Sequence, residues 1–254
     1  MPQAAPHPVQ AFEDEKSAAI AEYPNDAAWQ KVSADWLRTA FEKKYMYNFS
    51  FMGRPIIQTP VDMMAMHEII WQVQPDLIIE MGIAHGGSII FSAAMLELNA
   101  ACGGPADAEV LAVDIDIRAH NRAAIEAHPM ARRITMLEGS SVAEEIVAQV
   151  KEKAAGKKKI LVVLDSNHTH DHVLAELNAY APLVSVGSYC IVFDTIVEDL
   201  PDEMWENRPW KKGDNPKTAV WEYLKTHPEF EIDKTIENKL MITVAPDGYL
   251  KRVK

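Results

Sequence analysis

Residues 76–88 read DLIIEMGIAHGGS, and residues 89–100 read IIFSAAMLELNA. An apolar run from Leu77 to Ile79 meets a carboxylate at Glu80, then glycines at Gly82, Gly86 and Gly87, and after Ser88 the apolar residues continue as a helix. Strand, glycine turn, helix is the unit from which parallel sheets are built, because two parallel neighbours need a crossover and a helix supplies it.

The rhythm repeats downstream. VLAVDID (110–116) leads into a helix over 118–128, and RITMLEG (133–139) into SVAEEIVAQVKEKA (141–154). KILVVLDS (159–166) leads into a helix to about Tyr180, and SYCIVFDTI (188–196) is a fifth strand. Such continuous Val/Ile/Leu strands belong to a sheet covered on both faces. FEIDKTIENKLMITVAPDGYLKRV (230–253) departs from the pattern and reads as strands joined by turns at Glu237–Asn238 and Asp247–Gly248. The expected fold is therefore α/β: a doubly wound, mostly parallel sheet with an antiparallel C-terminal strand. Upstream, residues 1–11 read as an arm with three prolines. Phe12 to Lys44 reads as helical, with Trp29, Val32, Trp36, Leu37 and Ala40 at three- and four-residue steps. The stretch YMYNFSFMGRPIIQTP (45–60) reads as an ordered loop, and Asp62 to Val73 as a helix capped near Thr59 or Asp62. Residues 1–75 form an N-terminal arm and helical cap on this reading, residues 76–254 the ligand-binding domain, and the two one compact unit.

Hydrophobic residues make up 48% and charged residues 24% of the 254, the proportions of an ordinary globular protein. A net charge of −12 argues against binding nucleic acid or an anionic membrane, both of which need a cationic surface. No apolar span is long enough to cross a bilayer, and the N-terminus lacks the pattern of a signal peptide. Cys102 falls in a glycine-rich loop and Cys190 in a buried strand, so no structural disulfide is expected and the cytoplasm is the expected location. Trp29 and Trp36 on the N-terminal helices suggest a homo-oligomer.

In an open parallel sheet ligands bind outside the carboxyl ends of the strands. Here those ends carry Glu80, Asp114 with Asp116, Glu138 followed by Ser140 and Ser141, Asp165, and Asp194. The first turn is G-x-x-x-G-G, not the G-x-G-x-x-G of a dinucleotide-binding oxidoreductase, so no pyrophosphate cradle is indicated. Asp114 is placed to accept ribose hydroxyls, while Asp116 suits a cap of the helix near Arg118. Ser140 and Ser141 either border an adenine pocket or cap a helix at Val142. Asp165 and Asp194 end adjacent strands and would repel unless a cation lay between them, and all-oxygen ligation suits Mg²⁺. His168, on the turn above, is a candidate general base. His170 and His172 open the next helix, where a solvent-facing role is expected, and Asp171 suits that helix N-terminus by charge. The H-x-H-x-H spacing on a turn does not aim three imidazoles at one zinc ion. Between the last parallel strand and Phe230, Trp205 and Trp210 lie in loop sequence and suit either a lid that stacks on a substrate ring or an oligomer contact. Trp221 and Tyr223 are expected to pack a helix starting near Lys217. The aromatics Tyr45, Tyr47, Phe49 and Phe51 would either roof the site or bury an interface.

GRPIIQTPVD, DLIIEMGIAHGGS, VDIDIR, LDSNHTHDHVLAEL and DTIVEDLP together resemble the cephalosporin hydroxylase / rhamnosyl O-methyltransferase family, over about Tyr45 to Val253. The resemblance implies a seven-stranded Rossmann-like sheet and a class I S-adenosylmethionine-dependent O-methyltransferase, Mg²⁺-assisted, acting on a sugar hydroxyl of a small molecule or glycan. It implies that Glu80, Gly82, Ala84, His85, Gly86, Gly87 and Ser88 hold the methionine part of the cofactor. Asp114 would bind the ribose, Ser140 would flank the adenine, and Asp116 and Asp165 would complete the cofactor site. Asp165 and Asp194 would bind the metal, and His168, in D-x-x-H, would be the base and touch the acceptor. One departure stands out: metal-dependent relatives commonly carry Glu before the second Asp, where this chain has Phe193. Asn167 is a candidate to make good that ligand. The rival readings are a non-catalytic subunit for glycan assembly and a nucleotide-cofactor oxidoreductase.

Overall fold

A computed structural model of the chain describes residues 8–254. Of the arm expected over 1–11, residues 1–7 lie outside the described residues, and from Pro8 onward the chain is helical. The helical stretch is two helices, α1 (Pro8–Glu22) and α2 (Ala27–Glu42), separated by a 3₁₀ turn at Tyr23–Asn25. Pro24 cannot continue α1, and the Asp26 side chain accepts from Trp29 N to start α2.

The stretch expected as a loop instead forms a hairpin, β1 (Phe49–Phe51) and β2 (Arg54–Ile56), paired Phe49 to Ile56. Its two turn residues, Met52 and Gly53, both have positive φ (45° and 84°), the twist that closes a two-residue hairpin. Helix α3 (Pro60–Val73) follows, with Thr59 as N-cap and Pro60 in its first turn.

The core alternates as expected: β3 (Leu77–Met81), α4 (Gly87–Ala101), β4 (Glu109–Asp114), α5 (Ala119–Glu126), β5 (Ile134–Glu138), α6 (Glu144–Ala154), β6 (Ile160–Leu164), α7 (His170–Tyr180) and β7 (Tyr189–Val192). After α8 (Pro216–Leu224) come β8 (Phe230–Ile232), α9 (Lys234–Leu240) and β9 (Tyr249–Arg252). The turn expected at Glu237–Asn238 is thus a helix, which Asp233 caps by accepting from Thr235 N and which a Lys234–Glu237 pair (2.7 Å) supports. The turn at Asp247–Gly248 is present, with Asp247 at φ 65°.

Seven strands form one sheet in the order β5-β4-β3-β6-β7-β9-β8, parallel except for β9, which runs antiparallel to both neighbours. Strand alternation sorts the core by face. Ile78, Val110, Leu161 and Ile191 pack with α3 and α4, whereas Leu77, Ile79, Leu111, Val162 and Val192 pack with α6, α7 and α8. Leu37, Met46 and Ile56 from the N-terminal region join the first of these clusters. Strand order reverses between β3 and β6, so a crevice opens there at the carboxyl ends of both strands. Among the described residues, no helix is long and apolar enough to cross a membrane.

Candidate active site

The turn after β3 is held from three sides. Asp114 Oδ2 accepts from Ile83 N (2.8 Å) and Ala84 N (3.1 Å), and its Oδ1 accepts from Asp116 N (3.1 Å), so the expected ribose-binding carboxylate also staples the turn. Arg54 donates through Nε and Nη2 to the His85 carbonyl (3.0 and 2.6 Å) and through Nη2 to Asn121 Oδ1 (2.9 Å). Asn121 in turn donates to the Ala84 carbonyl (2.9 Å). Glycine is required twice here. A Cβ on Gly82, at φ +100°, would stand 2.1 Å from the Asp165 carbonyl oxygen, and one on Gly87 would stand 2.2 Å from the Pro55 carbonyl oxygen. The turn is therefore pressed between the end of β6 and the hairpin.

The hairpin exit, Pro55 to Gln58, roofs a cavity of about 50 Å³ that Gly82, Ala84, His85, Gly87, Ser88 and Asp165 also line. That is far below the roughly 300–1,000 Å³ of a small-molecule site, so this cavity alone does not hold a whole nucleoside cofactor. Behind it, Glu80 is 3% exposed and accepts from Ser92 Oγ (3.0 Å), and burial raises its carboxyl to about 7. Gln58 donates to Asp165 Oδ2 (3.3 Å), while its own Oε1 is buried without a partner.

Asp165, His168 and Asp194 each offer one ligand atom, and these atoms lie within 4.8 Å of one another. His168 Nε2 stands 3.2 Å from Asp194 Oδ2. Asp194 is in the left-handed region (φ 56°), an uncommon conformation for a residue with a side chain. Burial, followed by the charges of Asp194 and Glu80, raises the Asp165 carboxyl well above the usual carboxylate range. Like charges gathered this closely fit a cation, and the carboxylate oxygens of Asp165 and Asp194 are donors that suit Mg²⁺ or Mn²⁺. Phe193 is 4% exposed and packed in the core, so nothing at that position replaces the usual Glu. Asn167 does not complete the shell in this arrangement: its Oδ1 accepts from Thr169 N (2.9 Å) and Oγ1 (3.0 Å), which shapes the entry to α7.

Trp210 is drawn to this cluster, its ring edge-on to His168 with centroids 4.6 Å apart. Trp205 instead packs against Phe41 of α2 (5.9 Å). Both indole N–H groups are buried and unpartnered. Tyr223 is buried in α8 as expected, but Trp221 is 42% exposed and donates to Asp247 (3.0 Å). Of the loop aromatics, Phe51 packs on Phe91 of α4 and Tyr45 lies between Trp36 and Phe49, whereas Tyr47 is exposed.

Several local expectations are corrected. Asp116 does not cap α5; the N-cap is Arg118, and the Asp116 carboxylate is exposed 3.8 Å from its guanidinium. Neither Ser140 nor Ser141 caps α6, whose N-cap is Ala143. Ser140 is half-buried in the loop after β5, and Ser141 is buried against Glu176. His170 and His172 are not solvent-facing: His170 Nδ1 meets Thr218 Oγ1 (2.8 Å) and His172 Nε2 meets Ser141 Oγ (3.0 Å). Arg54, Gln58, Asn121 and Glu176 escaped the sequence reading, and only the short GRPIIQTP run hinted at the first two. A larger concavity, about 1,120 Å³, lies at the opposite end of the strands beside Trp71, Asp76 and Lys157 to Lys159. It holds none of these groups, which leaves the smaller crevice at the strand switch as the candidate site.

A family model described as "Rhamnosyl O-methyltransferase/CmcI" matches residues 43–253. A rhamnosyl O-methyltransferase of Mycobacterium tuberculosis (strain ATCC 25618 / H37Rv) is 32% identical over 208 residues, covering 80% of this chain and 78% of its own. One of Mycobacterium leprae (strain TN) is 31% identical over 228 residues, covering 86% and 91%. Among solved structures, CmcI as its Mg-SAM form superposes with a TM-score of 0.55 at 19% identity, covering 82% of this chain and 78% of that one. An O-methyltransferase from Bacillus cereus in complex with SAH gives 0.51 at 12% identity, covering 79% and 81%. At these identities the structural likeness speaks for the fold, a Rossmann-like methyltransferase sheet, while the family rests on the sequence match. The chain belongs to the rhamnosyl O-methyltransferase/CmcI family.

Proposed function

We infer that the protein is an S-adenosylmethionine-dependent O-methyltransferase acting on a sugar hydroxyl, rhamnosyl or a related glycan, with Mg²⁺ held by Asp165 and Asp194. The observation that carries this reading is the Asp165–His168–Asp194 cluster beside the glycine turn at the strand switch. The mycobacterial relatives are named for rhamnosyl O-methylation, and CmcI is known as a Mg-SAM form. An acidic crevice with Glu80 and Asp165 at its floor favours a cationic sulfonium and a metal ion over an anionic dinucleotide, which sets the oxidoreductase reading aside.

A sugar hydroxyl is a poor nucleophile, so its proton must leave as the O–C bond forms. When bound, the cofactor supplies an electrophilic methyl on sulfur and the metal a Lewis acid for the developing alkoxide. His168 takes the hydroxyl proton, and Asp194, whose Oδ2 stands 3.2 Å from Nε2, stabilises the imidazolium that results. Trp210 sets the His168 ring edge-on and offers an apolar face to the acceptor. The glycine turn, fixed by Asp114, Arg54 and Asn121, holds the donor for in-line attack. Ser140 borders the adenine on this reading. The surroundings are cytoplasmic, in keeping with the free Cys102 and Cys190, and the chain forms a homo-oligomer, supported by the exposed Trp29, Val32 and Trp36 on α2.

Calorimetric titration with S-adenosylmethionine, with NAD⁺ as control, tests the cofactor; binding of NAD⁺ alone would overturn the reading. With a rhamnosyl acceptor, His168→Ala is expected to keep cofactor affinity and to lose roughly 10²–10⁴-fold in turnover. Wild-type turnover by that variant would remove His168 as base. Full activity of Asp194→Ala in EDTA would remove the metal.

A further inference from the structure

Glu176 ties together two loops that the sheet keeps apart. β4 and β3 stand between β5 and β6, yet Ser141 after β5 and Ser166 directly after Asp165 donate to the same oxygen, Glu176 Oε1, at 2.5 and 2.6 Å. The loop after β5 thus meets the loop after β6 although two strands separate β5 from β6. His172 Nε2 closes the knot, 3.3 Å from that oxygen, 3.0 Å from Ser141 Oγ and 3.3 Å from Ser166 Oγ. Tyr180, one turn on, donates to the Ser141 carbonyl. Glu176 has no exposed surface, and its second oxygen, Oε2, is buried without a partner.

A buried carboxylate with an orphan oxygen is an expensive way to pack a helix. Val173 and Leu177 on the same helix fill their positions with apolar side chains, as the fold alone would prefer. What a carboxylate adds is one charged acceptor taking two hydroxyls at once, and charge-assisted hydrogen bonds are short and directional. The two hydroxyls belong to the loop beside Ser140 and to the loop carrying Asp165 and His168.

We propose that Glu176 is a positioning residue that sets the adenine side and the metal-and-base side of the crevice in one register, so that occupancy of one side favours the other. This rests on the methyltransferase reading. The experiment uses S-adenosylhomocysteine, which lacks the sulfonium charge, and Mn²⁺ as probes, by calorimetry and by the Mn²⁺ electron paramagnetic resonance signal, beside thermal melts. Glu176→Leu is expected to melt at or above the wild-type temperature, since a hydrophobe in place of a buried charge is often neutral or stabilising. The wild type is expected to bind each probe more tightly in the presence of the other, and Glu176→Leu to bind each about tenfold more weakly and without that mutual enhancement. Ser141→Ala should weaken S-adenosylhomocysteine more than Mn²⁺, and Ser166→Ala the reverse. Wild-type affinities in Glu176→Leu, or losses that merely follow a lowered melting temperature, overturn the proposal. If the wild type binds neither probe, the methyltransferase reading itself fails.

Discussion

Glu80 lies at 3% exposure with hydrogen bonds from Ser88 and Ser92, and burial outweighs them to bring its carboxyl to about 7 from an ordinary 4.5. A carboxyl raised on folding binds more protons folded than unfolded, so stability falls as pH rises between those two values and the loss is complete above the upper one. For Glu80 alone the loss is on the order of 3 kcal/mol. In metal-free buffer, melts of the wild type are expected to fall in temperature between about pH 5 and about pH 8, and those of Glu80→Gln to fall less and start the neutral range higher. Parallel curves would mean that Glu80 is not the group responsible; Asp165, raised by burial and by its neighbours' charges, adds a slope of the same sign. These strand-end carboxylates were legible in sequence because each follows an apolar run. Glu176 was not, since mid-helix it looks like any solvated glutamate and only the fold buries it.

The elements that repeat the strand–helix rhythm stand close to where the sequence puts them, because continuous apolar runs and their turns are local signals. The hairpin β1–β2 gave no such signal. Its strands are three residues each, and its turn residues are Met and Gly, not the usual Asn-Gly. Its consequence is nonetheless large, since it carries Arg54 onto the His85 carbonyl and Gln58 onto Asp165. Arg54→Ala leaves that carbonyl unpaired and the turn free to drift, and is expected to weaken cofactor binding by about tenfold with little change in melting temperature. Arg54→Lys should not restore it, because a single ammonium nitrogen cannot repeat the two-nitrogen grip of Nε and Nη2 on that carbonyl. Unchanged affinity in both variants, measured calorimetrically, would mean that Asp114 suffices to hold the turn.

Across the whole molecule the C-terminal segment is locked to α3 through one buried carboxylate. Asp62, fully buried, accepts from Thr59 Oγ1 (2.6 Å), Tyr249 OH (2.8 Å), Val244 N (3.0 Å) and Thr243 Oγ1, and burial still raises its carboxyl. Asp62→Ala strands these donors together and is expected to cost roughly 3–5 kcal/mol in urea unfolding; a loss under about 1 kcal/mol would show that water replaces the carboxylate. The sequence by itself determined the parallel sheet, the antiparallel last strand, and the gathering of Asp165, His168 and Asp194 at one edge of it. Apolar periodicity and glycine turns act within a dozen residues, so they can be read without the fold. Only the tertiary structure decided that Arg54 and Asn121 brace the glycine turn, that Trp210 and not Trp205 meets His168, and that Glu176 joins two distant loops. Those pairings span tens of residues, and their energy comes from burial and from satisfied donors, which exist only once the chain has closed on itself.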